Sequence, residues 1–121
     1  MLLINYNMSG HPILAPVYEL ADGDKSFSDD LLQSMAAAIP ADIAEIEKAI
    51  EKKHITLMCR SAHHMKSSIM YSNATDLKDL LITIEHKEET HTAMDEVKAL
   101  LPKLKELAKA LLDVVNTELA K

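Results

Sequence analysis

The chain has 121 residues, 48% of them hydrophobic, with two glycines, 3% aromatics and a formal net charge of −6. Such a length fits one domain with one core. Scarce glycine and aromatic residues weigh against a sheet-rich fold, and the acidic balance, with no basic stripe, disfavours a nucleic-acid partner.

Leu, Ala, Glu, Lys, Ile and Met dominate, which favours helix. Residues 1–11 carry no clear period and read as a loose arm. Pro12 and Pro16 fall near the start of a short helix over about 13–21, since proline is tolerated in a first turn. Asp22-Gly23-Asp24 is a turn. Ser26-Phe27-Ser28-Asp29 resembles a capping box in its aspartate form, opening a helix with Leu31, Leu32, Met35 and Ala36 on one face. Pro40 is expected to stop that helix and to start the next, which buries Ile43, Ile46 and Ile50.

A further helix is predicted over about 55–71, with Met58, Ala62, Met65 and Ile69 as its inward stripe. Asn73 can end it in the left-handed conformation. Thr75 can cap the helix that buries Leu77, Leu80, Leu81 and Ile84. After a polar break at Lys87-Glu88-Glu89-Thr90, a long helix spans about 92–119. Its stripe is Val97, Leu101, Leu104, Ala108, Leu111 and Val115, widened by Leu100, Leu107 and Val114. Pro102 is expected to kink it. Four longer amphipathic helices with short connections imply an all-α fold, an up-and-down antiparallel four-helix bundle over residues 12–121 with a short N-terminal capping helix.

The chemistry concentrates in Ala62-His63-His64-Met65-Lys66-Ser67-Ser68. The stripe fixes the helix rotation and leaves His63 on the boundary or exposed, with Cys59, Arg60, Lys66 and Ser67 one turn away. A reachable, neutral imidazole is a nucleophile. Lys66, with Arg60 as an auxiliary, can offset the charge of an attached phosphoryl group. Ser67 is small enough to let a partner approach. The chain carries no nucleotide-binding motif, so a partner must deliver and remove the group. Read without that context, His63 is an ordinary solvated histidine and Lys66 an ordinary surface lysine. His64, on the other flank, is read as a packing or hydrogen-bonding residue, and Cys59 as a small boundary residue.

In these residues the chain resembles the histidine-containing phosphotransfer (HPt) domain family, whose pattern is Ala-His-x-Leu-Lys-Gly followed by small residues. The resemblance covers about residues 12–118 and includes Asn73-Ala74 and the run from Leu77 to Ile84-Glu85. It departs from the pattern at Met65 for leucine, at Ser67 for glycine and at Asn73 for a second glycine. Ser67 in place of glycine bears on how closely a partner approaches. The resemblance implies that His63 is the phosphorylated residue and Lys66 its charge partner. It implies phosphoryl exchange with receiver-domain aspartates, those of a response regulator and of a hybrid sensor histidine kinase. The chain would be a carrier, not an enzyme with an ATP site. It would hold no cofactor of its own; Mg²⁺ would come from the receiver.

Two other classes remain as alternatives. A non-catalytic helical adaptor would bind a signalling partner through a groove. A carboxylate-histidine metal bundle could use Glu51-Lys52-Lys53-His54 and Glu88-Glu89-Thr90-His91, but both motifs sit at predicted helix ends. The single cysteine fits a reducing compartment. The N-terminus lacks a signal-peptide pattern, and no run approaches the ~20 apolar residues of a membrane span. A cytoplasmic monomer is the expectation.

Overall fold

A computed structural model describes residues 10–87 and 92–121. Most of the expected loose arm, and the whole of the second Glu-x-x-His motif, Glu88-Glu89-Thr90-His91, lie outside the described residues. A short 3₁₀ turn, Pro12–Leu14, leads into α1 (Ala15–Ala21). There follow α2 (Lys25–Glu51), α3 (Ile55–Ser68), α4 (Thr75–Glu85) and α5 (Ala93–Leu119). Each of the four longer helices packs on its chain neighbour, and α5 closes on α2. This is the all-α bundle expected, with α1 laid against α2 at one end.

The expected stripes form the core. Met58, Ala62, Met65 and Ile69 are all 0% exposed. Leu32, Met35, Ile46, Leu77, Leu81, Ile84, Leu104, Leu111 and Val115 pack with them, as do Leu14 and Val17. Fully burying side chains of this size contributes about 1.5–3 kcal/mol each before entropy is charged. With 27 residues each, α2 and α5 run about 40 Å at 1.5 Å per residue. The shorter α3 and α4, of 14 and 11 residues, cover only part of that length. The 3₁₀ turn and α1 cover apolar surface near the other end through Leu14, Val17 and Ala21.

Pro40 does not divide the chain as expected; α2 runs through it. Leu32, Met35, Ile39, Asp42, Ile46 and Ala49 lie buried on one face across the proline, whereas Pro40 itself is exposed. Water can therefore reach the carbonyl that loses its donor, and packing on both sides outweighs the lost hydrogen bond. Pro102 likewise sits exposed inside α5, which continues past it.

The caps also differ from expectation. Helix α2 starts at Lys25, capped by Asp24, whose carboxylate accepts the Phe27 N–H at 3.1 Å. Ser28 lies inside the first turns and donates to the Lys25 carbonyl. Helix α3 ends at Ser68 rather than at residue 71. Asn73 is not in the left-handed region; instead its N–H donates to the Ile13 carbonyl at 2.7 Å and its amide to that of Pro12. It ties the α3–α4 turn to the N-terminal segment. Thr75 is the first residue of α4, and the cap position is Ala74, with no side-chain cap.

Buried Glu118 anchors that segment to α5. Its Oε1 accepts the Tyr18 hydroxyl at 2.8 Å and the His11 N–H at 3.2 Å, and Lys121 pairs with Oε2 at 2.6 Å. Burial, then the Glu118 hydrogen bond, raises the Tyr18 hydroxyl pKa, so Tyr18 remains a donor.

Pro40→Ala is expected to stabilise the protein by about 1 kcal/mol or more, since alanine restores a helical N–H and removes the ring clash. Urea unfolding followed by circular dichroism measures this. A lower midpoint would contradict a continuous α2 with a solvent-facing proline.

Candidate functional site

The site is built on α3. Its stripe is pinned in the core, and at about 100° per residue His63 and His64 fall about 130° to either side of that stripe. His63 leans toward α4 and His64 toward α2. Their side chains are 61% and 70% exposed.

On the α4 side, His63 Nδ1 lies 2.8 Å from Glu85 Oε2. A carboxylate has only acceptor atoms, so Nδ1 carries the proton and the neutral ring keeps its lone pair on Nε2. Lys66 Nζ lies 2.7 Å from Glu85 Oε1. This contact gives Oε1 a charge partner but is off the hydrogen-bond direction, so Oε1 is buried without a directed bond. Lys66 and then His63 pull the Glu85 pKa below its ordinary value, against a smaller opposing effect of burial. Lys66, expected as a phosphoryl charge partner, therefore rests on a carboxylate that also orients the imidazole.

Two contacts position Glu85 itself. Ile84 beside it is fully buried. The Cys59 thiol, on the same flank of α3 as His63, lies 3.6 Å from the Ile84 carbonyl and 3.5 Å from that of Lys87. It joins α3 to the end of α4, as a boundary residue should. Burial, then the Glu85 charge, raises the Cys59 pKa, which keeps the thiol protonated for that contact. Lys87 in turn pairs with Glu96 of α5 at 2.9 Å.

On the α2 side, His64 Nδ1 lies 2.8 Å from Asp42 Oδ1, and the Ser68 hydroxyl donates to Asp42 Oδ2 at 2.8 Å. Asp42 is a buried residue of α2. Arg60 is exposed and lines a shallow groove of about 260 Å³ with Asp42, Glu45, Ser61 and His64. The structure thus puts the expected auxiliary cation beside His64. Ser67 faces outward, its hydroxyl turned back to the His63 carbonyl at 3.4 Å.

Glu85 and Asp42 were not singled out from the sequence as site residues. Glu85 follows a buried stripe position and is therefore on a flank, but only the packing of α3 on α4 shows which helix it meets. Asp42 follows Pro40 and falls on the inward face, a carboxylate at a core position with no local partner. Of the alternative metal motifs, His54 caps α3, its Nδ1 accepting the Leu57 N–H at 3.1 Å. Among the described residues no three His, Cys, Asp or Glu side chains converge as metal ligands. No described helix is long and apolar enough to cross a membrane.

Because the folded Glu85 pKa is depressed, its stabilising contacts are complete above the ordinary value of 4.5 and are lost as pH falls through the lowered one. A carboxyl-carbon NMR titration should place the Glu85 midpoint below 4.5 in the wild type. Lys66→Ala should move it upward, and an unmoved midpoint would remove Lys66 as the chief cause.

Comparison with curated proteins found no match, and neither did comparison with solved structures. The family model described as the Hpt domain matches residues 30–117. That span takes in most of α2, all of α3 and α4 with both histidines, and nearly all of α5. The match covers well over half of the chain, and the protein belongs to the Hpt domain family, the helical phosphocarrier modules of phosphorelays that interact with receiver domains.

Proposed function

We propose that His63 accepts a phosphoryl group from a receiver-domain aspartate and returns it to the aspartate of another receiver. One observation carries this reading: His63 has Nδ1 held by Glu85 at 2.8 Å while its ring is largely exposed. The proton is fixed on the inner nitrogen, so the outer one is a ready nucleophile.

In the forward step the Nε2 lone pair attacks phosphorus and the aspartate carboxylate leaves with the electrons of the broken P–O bond. Glu85 compensates the charge that develops on the ring. Lys66, 30% exposed, is near enough to Glu85 to turn between that carboxylate and the incoming group. Mg²⁺ and most of the transition-state stabilisation belong to the receiver, since phosphoryl transfer rests mainly on positioning and charge neutralisation. Ser67 leaves room above the ring. Met70, Tyr71 and Ile82 are exposed apolar side chains just past the end of α3 and one turn before Glu85, and they suit a docking surface around His63. The partners are receivers of a response regulator and of a hybrid sensor kinase, met in the cytoplasm by a monomer.

The experiment follows label from one phosphorylated receiver, through this protein, to a second receiver. Wild type should relay, and His63→Gln should fall to background. A His63→Gln variant that relays at the wild-type rate would sink the assignment. Lys66→Ala should remain folded and slow the transfer about tenfold, as expected for one lost charge-assisted interaction of ~1.5 kcal/mol. Glu85→Ala should slow it as well, by freeing the ring to take the other tautomer.

A further inference from the structure

Four described histidines make a hydrogen bond through Nδ1, and they divide into two kinds. His11 and His54 accept backbone N–H groups there, from Ile13 and Leu57, each at 3.1 Å. Their Nδ1 holds the lone pair, so a neutral ring must carry its proton on Nε2. His63 and His64 face carboxylates instead, each at 2.8 Å. Their Nδ1 holds the proton, and Nε2 holds the lone pair. Only this second arrangement presents a nucleophilic nitrogen at the outer edge of the ring.

We propose that His64 is a second phosphoryl-accepting histidine, with Asp42 as its positioning carboxylate and Arg60 as its cation. The inference does not depend on His63 being the relay residue. Asp42 is better fixed than Glu85: it is buried, and its second oxygen is occupied by the Ser68 hydroxyl at 2.8 Å. Arg60 lies one turn from His64 on the same groove and carries no ion pair among the described residues. A planar guanidinium with free donors is well suited to a phosphoryl group. Glu45 is the opposing charge on the rim.

The groove of about 260 Å³ suits a small donor, and it lies on the α2 side of α3, away from the apolar residues that frame His63. The step is a substitution at phosphorus. The Nε2 lone pair forms an N–P bond as the bond from phosphorus to the leaving group breaks. From an acyl phosphate the carboxylate departs with that electron pair. From phosphoramidate the nitrogen departs with it, already protonated or taking a proton from water, as ammonia. Nδ1 keeps its proton against Asp42, which compensates the imidazolium charge.

The test uses the full chain carrying His63→Gln. It is exposed to phosphoramidate, and initial label is followed at each histidine by peptide mass spectrometry. His64 should be labelled about tenfold or more faster than His54 in the same molecules, the size of effect expected from one charge-assisted hydrogen bond that holds the reactive tautomer. Equal rates at His64 and His54 would overturn the proposal. A parallel arm supplies a phosphorylated receiver instead: label on His64 there assigns the donor to a protein, whereas label from phosphoramidate alone assigns it to a small molecule. Asp42→Asn should bring the His64 rate down toward that of His54, and an unchanged rate would overturn the role of Asp42. Should that variant fail to fold, long-range ¹H–¹⁵N spectra of the unsubstituted protein decide instead. They should show His64 with its proton on Nδ1 and His54 with its proton on Nε2; a proton on His64 Nε2 would overturn the proposal.

Discussion

The burial of one stripe on α3 governs the rest of the site. Met58, Ala62, Met65 and Ile69 are wholly excluded from solvent, and a helix with four such anchors cannot rotate about its axis without exposing them. Everything chemical on α3 is placed by that constraint. His63 and Lys66 are turned toward α4, His64 and Ser68 toward α2 with Arg60 on the groove beside His64, and Ser67 outward. A one-residue shift of the stripe would swing each by about 100° and would separate both histidines from their carboxylates.

Those carboxylates give two exposed imidazoles defined chemical states. An exposed neutral histidine in water samples both tautomers. Here the flanking helices each supply an acceptor 22 residues away in sequence, one on either side of α3. The neighbours are not equivalent. Glu85 is shared between His63 and Lys66 and sits at the end of its helix. Asp42 lies in the interior of α2, shared between His64 and Ser68. Both acceptors reach α3 because α2 and α4 are the two helices that pack on it along the chain.

The sequence carried the core and the reactive segment openly. Apolar spacing located most of the buried stripes, since helix period is a local property, though Ile43, Leu80 and Leu101 are only half-buried and Leu14, Val17, Ile39 and Ala49 join the core unannounced. Ala62-His63 with Lys66 one turn on marked the candidate segment. Pro40 misled because local propensity argues for a break, whereas the buried residues on both sides of it keep one helix intact. Asn73 misled in a similar way: its use is a contact with Pro12 and Ile13, about sixty positions away. Glu85 and Asp42 were illegible as site residues for the same reason. No local pattern states which helix flank will face which neighbour, and a carboxylate next to a stripe reads as a solvated charge until packing gives it a partner.

On the proposed relay reading, the resting pair of Lys66 and Glu85 has a consequence for reversibility. A phosphoryl group on His63 would bring roughly −1.5 to −2 charges to a ring already facing Glu85. Lys66 would then serve two anions, and it is partly exposed, in a setting where an ion pair is readily exchanged. A cation buried against the phosphoryl group alone would stabilise the loaded state and oppose its release. A cation shared with Glu85 would stabilise the unloaded state as well as the loaded one, which suits a carrier that must be filled by one receiver and emptied by another.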